Sequence, residues 1–485
     1  MQVELDFGAA DKVVEETACV SAKARHLRRV DVRAQPQPKS KNKEAKTASM
    51  SSVIEGLSQA FESVERNRGA AGPDGQSVER VRERWPSVER GLAKSLNEGS
   101  WRAGEIRRVW IPKAGGGQRG LGIPNVVDRV VQEAIRQTLE PVFEPTFHPS
   151  SHGFRAQRSC HTAIAQAVEY VREGREWVVD MDLENFFNAV NHQRLMSKLA
   201  LRVKDKALLR LIGQLLKARV VLPDGVTIGN DEGVPQGGPL SPLLSNIVLD
   251  ELDWQLEERG HKFVRYADDA NIYVRSERSG QRVMASISAF IERRLRLKVN
   301  VKKSAVARPE GRHFVGFSLK RKPQDGSVQV SPSQRSQERV KAKLVELTAR
   351  NGGRSKTSSI DQINAYTRGW MGFFGICTEQ VEKLLKFLDA HLRRRLRAIE
   401  LKQCKRKRTI VRKLIGLGVR AKTAWRQVYE GRKSIWALSH TWAVERALNN
   451  SLWEARGLKT LTQLYWAHPA RMSAQGPAQY ELVLG

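Results

Sequence analysis

The stretch KFVRYADDANIYVRS, residues 262–276, sets two adjacent aspartates between two alternating runs. Phe263, Arg265 and Ala267 fall on one side of an extended chain, and Val264, Tyr266 and Asp268 on the other. Past the acids, Ile272 and Val274 alternate with Tyr273 and Arg275. The pattern predicts a β-hairpin with its turn near Asp268-Asp269. Like charges side by side at a hairpin tip cost free energy unless something positive joins them.

A third carboxylate suits that tip. In REWVVDMDLENFFNAVNH (175–192), Val178, Asp180 and Asp182 share one face of a predicted strand, which breaks into a turn or short helix around Asn185–Phe187. An Asp ending one strand and an Asp-Asp on a neighbouring hairpin offer the hard oxygens that Mg²⁺ takes, with substrate phosphates and water completing its shell. Two such ions roughly 3.5–4 Å apart can activate a 3′-hydroxyl and stabilise a leaving pyrophosphate. Alone, each acidic patch reads more readily as a solvated loop.

The rest of the chain narrows the choice. Its 485 residues allow several domains, and 40% apolar content is enough for real cores. A formal charge of +31 exceeds what solubility requires and points to a polyanionic partner. A membrane surface is the rival, but no window approaches about 18 uncharged apolar residues, and no basic amphipathic anchor stands alone. The acidic start MQVELDFGAADKVVEE lacks a signal-peptide core, so a cytoplasmic location is expected. Cys19, Cys160, Cys377 and Cys404 lie far apart, which predicts inert thiols rather than a zinc site or disulfides.

Residues 31–50 are polar and aperiodic, so 1–50 reads as a disordered extension. Helical spacing begins near Ser51 with Val53, Leu57, Phe61 and Val64, and 51–104 reads as a helical extension. EIRRVWIPK (105–113) reads as a strand leading into the glycine-rich tip AGGGQRG. From about 105 to 330 short strands alternate with helices in an α+β manner. From 331 to about 455 the pattern is helical, and 456–485 reads as a tail. Within 391–433 stand sixteen Lys or Arg and two acids, Glu400 and Glu430. Leu392, Leu396, Ile399 and Leu401 thread those charges, so one helix face can pack while the others meet phosphates. An ordinary solvated face would mix both signs.

Six blocks in order, RGLGIPNVVDRVVQEAI, FEPTFHPSSHGFRAQRSCHTAI, DMDLENFFNAVNH, EGVPQGGPLSPLLSNIVLDELD, RYADDANIYV and HFVGF, resemble the reverse transcriptases of bacterial group II introns. Beyond them INAYTRGWMGFF, LRRRLRAIELKQCKRKRTIVRKLIGLG and WALSHTWAVERALNNSLWEARGL resemble that family's thumb and maturase region. The resemblance implies a right-hand polymerase: fingers and a palm with an antiparallel sheet over 105–330, then an α-helical RNA-binding domain over 331–455. No His-Asn-His or Cys-rich pattern follows WEARGL, so no endonuclease domain is expected.

The resemblance also assigns roles. Asp182, rather than Asp180, matches the first metal ligand, Asp268 the second, and Asp269 the acid beside it. Phe187 stands where an aromatic gate meets a ribonucleotide's 2′-hydroxyl, although Phe186 and Phe187 also read as core. Lys113 and Arg119 flank the fingertip and clamp the triphosphate, or stand in a solvated loop. Gln236 touches the incoming nucleotide, with glycines letting the backbone approach the substrate. Lys303 stands where a lysine protonates pyrophosphate, with Lys302 and a plain surface role as alternatives. Gly316 and Phe317 fall in a primer grip, Tyr266 lies beside the primer end, and Arg155 and Arg158 are template contacts or structural ion pairs. Arg393, Arg394, Arg395, Lys405, Arg406, Lys407 and Arg408 would hold RNA. Asn188 and Gly120 depart from the common pattern, the latter replacing a Pro and loosening the tip.

The cofactors implied are two Mg²⁺ ions with dNTP substrates. The partners are an RNA template, group II intron RNA among them, and a DNA primer or target. Three functions remain open: a reverse transcriptase that also assists splicing, a domesticated relative acting in DNA repair or defence, and an RNA-binding splicing factor without polymerase activity.

Overall fold

The computed structural model describes residues 47–112, 116–349, 355–431 and 433–472. Most of the expected N-terminal extension, the fingertip lysine Lys113, Cys19 and the end of the expected tail lie outside them. The chain divides into two compact units, with the division between Arg308 and Pro309.

In the first unit, Ser49 caps a short helix, Met50–Glu55, by accepting from the Ser52 amide. The expected helical spacing then continues in α1 (Leu57–Arg66), which buries Leu57, Ala60, Phe61 and Val64 and packs on α2 (Val126–Phe143). Trp85 stacks on Phe61 at 4.1 Å between ring centroids. The strands that follow are β1 (Ile106–Pro112), β2 (Gln118–Ile123), β3 (Trp177–Met181), β4 (Val220–Val221), β5 (Thr227–Ile228), β6 (Lys262–Tyr266), β7 (Asp269–Val274) and β8 (Ala305–Ala307). One sheet runs β2-β1-β4-β5 and carries the fingertip hairpin. The other runs β6-β7-β3-β8 with every neighbour antiparallel.

That second sheet is backed by three helices of the same unit: α3 (Cys160–Arg172), α4 (Ser241–Glu258) and α5 (Glu277–Phe290). Pro242 in the first turn suits a helix start, and α4 then buries Leu244, Val248, Leu249, Leu252 and Leu256. The hairpin is the expected one, displaced by a residue. Tyr266 pairs with Asp269, so the turn is Ala267-Asp268 and Asp269 opens β7. Ala267 takes a left-handed φ of 57°, which a two-residue hairpin turn needs and an alanine resists.

The second unit begins with a hairpin, β9 (Phe317–Arg321) and β10 (Val328–Pro332). The hairpin lies within the expected 105–330 stretch and falls in the same compact unit as the helices that follow. Phe317 packs on Phe373 and Phe374, at 5.2 and 5.0 Å between centroids. After α6 (Gln334–Leu347) and α7 (Lys356–Phe374), the long α8 (Val381–Gln403) buries Leu385, Leu388, Leu392, Leu396 and Leu401. Helices α9 (Lys407–Gly416), α10 (Ala421–Tyr429), α11 (Trp442–Ala447) and α12 (Leu461–Trp466) complete the unit.

Residues 456–472 are therefore no tail. The Asp389 carboxylate accepts from the amides of Leu461 and Thr462 at 2.8 and 3.0 Å, and Tyr465 is buried with its hydroxyl donating to the Cys377 carbonyl. Glu400, also buried, is matched by Lys356, Lys413 and Arg456, which is the condition for a charge to survive inside.

Candidate active site

The turn at Ala267-Asp268 is held by a charge the sequence reading passed over. Arg265 is 1% exposed, and its fork donates to both Asp253 oxygens at 2.7 and 2.6 Å. Its remaining N–H groups reach Asn246 Oδ1 at 3.0 Å, Ser151 Oγ at 2.8 Å and the Ala267 carbonyl at 2.8 Å. Every donor of the guanidinium is used, as a buried cation requires. The sequence shows the positions but not their pairing. Arg265 falls in phase with Phe263, and Asn246 and Asp253 interrupt the apolar run of α4.

A third segment closes on the same turn. A Cβ on Gly153 would fall 2.2 Å from the Ala267 amide nitrogen, so only glycine lets these backbones meet. The Gly153 carbonyl accepts from Asn246 Nδ2 at 2.9 Å, and the His152 amide donates to the Arg265 carbonyl at 2.8 Å. Next to Gly153, Phe154 is 51% exposed and holds a left-handed φ of 59°.

Asp182 and Asp268 share one electrostatic neighbourhood. Burial pushes the Asp268 carboxyl up, the Asp182 charge pushes it further, and Arg119 and Arg265 pull it back. Arg119, exposed on β2, is thus brought within electrostatic reach of Asp268. Asp182 stands one residue past the last β3–β7 pair, Met181 with Ala270. Its amide donates to Ser304 Oγ at 3.0 Å, and its carbonyl accepts from the Asn300 amide at 2.8 Å. Lys303 Nζ lies 3.2 Å from Asp182 Oδ2. Between the two candidate lysines, Lys303 is the one placed on this acid. Burial pushes the Tyr273 phenol up, and the charges of Asp269 and Asp180 push it further.

Whether these donors suit a divalent ion can be judged from Asp182. Its Oδ2 is sealed from solvent and has no aligned hydrogen-bond donor, although the Lys303 ammonium is near. A second carboxylate beside it is held reluctant to ionise. Two hard, undercompensated oxygen donors fit Mg²⁺. Among the described residues no group of three or more His, Cys, Asp or Glu side chains stands in metal-holding geometry.

The loop carrying Gln236 is pinned at both ends. The Val234 amide donates to the Phe187 carbonyl at 2.6 Å, and the Gly122 amide of β2 donates to the Gln236 carbonyl at 2.6 Å. A Cβ on Gly237, whose φ is 119°, would lie 2.5 Å from the Gly122 carbonyl oxygen, and one on Gly238 would strike Gln132. These glycines let the loop meet the fingertip strand and α2. Phe186 and Phe187 are both buried, at 2% and 9% exposure, in a 3-10 turn after Asn185, whose φ is 48°.

Several expected contacts are turned inward. Arg155 donates to Glu144 Oε1 at 2.8 Å and to the carbonyls of His148 and Ser151, so it is a structural cation, not a free template contact. Arg158 donates to the Pro149 carbonyl at 3.1 Å and stays half-exposed. Tyr266 is hydrogen-bonded to the Cys160 thiol. Phe317 is fully buried, and Gly316, with φ of 96°, accepts through its carbonyl from Ser333 and Ser336. Both support the β9–β10 hairpin from inside. Gly120 lies under Trp110 and Arg108, so its missing side chain makes room for them rather than slackening the tip.

In the second unit, Arg395 donates to Thr348 and to the Val345 carbonyl, closing the end of α6. Arg394 lies 4.1 Å over the Trp436 ring, and Lys407 5.3 Å over Tyr429. Arg393 is half-exposed, while Lys405, Arg406 and Arg408 are exposed. No helix among the described residues is long and apolar enough to cross a membrane.

Two family models match the chain: "Reverse transcriptase (RNA-dependent DNA polymerase)" over residues 111–319 and "Group II intron, maturase-specific domain" over 337–415. The chain is 30% identical over 270 residues to Protein YkfC of Escherichia coli, which covers 48% of this chain and 71% of that protein. It is 36% identical over 214 residues to the group II intron-encoded protein LtrA of Lactococcus lactis, covering 42% of this chain and 34% of LtrA. A putative COX1/OXI3 intron 2 protein of Saccharomyces cerevisiae is 30% identical over 290 residues, covering 48% of this chain and 34% of its own. The chain therefore spans about a third of the length of the two intron proteins. With its reverse transcriptase domain of mixed sheets followed by a helical region that carries the maturase-specific domain, the chain belongs to the group II intron type of reverse transcriptases and maturases.

Proposed function

We propose that this chain is an RNA-directed DNA polymerase that extends a DNA primer on an RNA template and also binds intron RNA as a maturase. The observation that carries the reading is the pairing of Asp182 with Asp268 across two chain segments, with Arg119 of the fingertip strand reaching Asp268. A carboxylate pair left undercompensated inside a chain of net charge +31 is costly unless a cationic cofactor uses it.

Asp182 and Asp268 would hold Mg²⁺, which, when bound, supplies charge neutralisation at the attacking 3′-hydroxyl and the leaving pyrophosphate. Arg119 forks onto the triphosphate, and Lys113 shares that role from the same tip. Lys303 is a donor poised beside Asp182 and hands its proton to the departing pyrophosphate. Asp269 steadies the strand start behind Asp268. Gln236 positions the nucleotide from a loop fixed between β2 and the Phe187 turn, and the Phe187 ring bars a 2′-hydroxyl. Phe154 and Arg158 face the template, with Tyr266 near the primer end. In the helical unit, Arg393, Lys405, Arg406 and Arg408 meet RNA phosphates.

Primer extension by the full chain, on an RNA template with Mg²⁺ and dNTPs, tests the reading. Complementary DNA made with Mg²⁺ and lost with chelator is the expected outcome. RNA binding without any extension would leave only the maturase role.

A further inference from the structure

Helix α10 is built inside out. Its inward positions are the small residues Ala424 and Val428, both buried, while Trp425 and Tyr429 stand outside at 45% and 43% exposure. The two rings stack at 5.2 Å and 23°. Lys407 from α9 lies over Tyr429. On neighbouring α11, Trp442 is 55% exposed with Arg446 over its ring at 5.4 Å. Gln427 Oε1 accepts from the Ala443 amide at 2.8 Å and so ties α10 to the start of α11. Large apolar rings outside and small residues inside reverse what folding alone favours.

The charge around the rings says what could cover them. Residues 401–429 contain ten Lys or Arg and no Asp or Glu. A peptide or a second copy of this basic chain would meet repulsion there, whereas a nucleic acid gains from the cations and stacks on the rings. Aromatic faces with cations beside them are how proteins hold unpaired bases, and paired bases offer no free face.

We infer that Trp425, Tyr429 and Trp442 form a stacking platform for unpaired bases of an RNA loop, on helices beyond the matched maturase-specific segment. The inference rests on the RNA-binding half of the proposed function and adds that this surface reads loops, not duplex. Lys407 and Arg446 hold the backbone of the same loop, and the stacked rings supply the part of binding that salt does not screen.

Affinity of the full chain for two RNAs of equal length tests it, one a closed duplex and one presenting an unpaired loop, alongside the same loop as DNA. Trp425→Ala should weaken loop RNA by about tenfold or more, leave duplex binding and the salt slope unchanged, and leave the melting temperature in place because the ring is exposed. Trp425→Phe should recover most of the loss, and Lys407→Ala should weaken both RNAs and flatten the salt slope. Equal losses on loop and duplex, or no loss on the loop, would overturn the platform, and equal affinity for the DNA loop would overturn its assignment to RNA. If the wild-type chain binds neither RNA, the maturase reading falls with it. If it binds both and Trp425→Ala matches wild type, the platform alone falls.

Discussion

At the scale of single residues, the site depends on a cation that does no chemistry. Arg265 fixes the Ala267 carbonyl and, through Asp253, Asn246 and Ser151, fastens the turn to α4 and to the segment before α3. Arg265→Ala leaves Asp253 buried and unpaired, and chemical denaturation should show a loss of about 3–5 kcal/mol. Arg265→Lys should rescue little, because an ammonium cannot make the two-toothed contact. Gly153→Ala tests position more than stability. The added methyl group displaces the Ala267 backbone, and a shift of about 1 Å there should slow extension on the order of a hundredfold with RNA binding intact. Phe187→Ala should lower the preference for deoxynucleotides over ribonucleotides on the order of tenfold, read from competition between the two. The acids stood out in the sequence by their position at strand ends, while the gate role of Phe187 comes from the family resemblance alone. The Arg265 knot was not legible, because its partners are set by strand phase and by a helix met only after folding.

Among elements, the segment 148–158 is the clearest case of structure hidden from local reading. Its two arginines read as template contacts or structural ion pairs, Arg155 is the latter, and the segment is a wedge of backbone and histidines set against β6. His152 sits in it, buried, bonded to Thr162 and Gln166, with its pKa pushed down to about 4, first by burial and then by Arg158, Arg155 and Arg265. A histidine depressed in the fold favours the neutral ring. Its stabilising effect is therefore complete above the unfolded value near 6.5 and is lost as pH falls from there toward 4. Stability followed by denaturant titration should drop by up to about 3 kcal/mol across that window from this group, and His152→Gln should flatten that part of the curve. The β6–β7 hairpin itself was legible from its alternation, apart from the one-residue placement of its turn. Alternation fixes faces, while the left-handed Ala267 that fixes the turn has no signature in residue type. The β9–β10 hairpin falls in the expected 105–330 stretch yet packs with the helices that follow, and nothing in its own sequence says that Phe317 will pack on Phe373 and Phe374.

For the whole molecule, composition and motif order conveyed the essentials: an α+β polymerase-like part, a basic helical part and a polyanionic partner. Charge sums are long-ranged and survive without coordinates, which is why +31 was informative before any fold was known. What composition does not separate is cations facing solvent from cations turned inward. Arg155, Arg395 and Arg397 all serve the protein, the last bonded to Glu445 and the Leu448 carbonyl. RNA affinity should therefore fall with salt less steeply than the basic count alone suggests. A slope matching about eight phosphates is expected from titrations between low and moderate salt.

The central claim is that Asp182 and Asp268 act together on a divalent ion during DNA synthesis. Single-turnover primer extension on an RNA template, comparing wild type with Asp268→Asn and Asp182→Asn at equal template occupancy, addresses it most directly. Both variants should bind the primer–template as wild type does and extend it about a thousandfold or more slowly. Extension by either variant at the wild-type rate would contradict the claim.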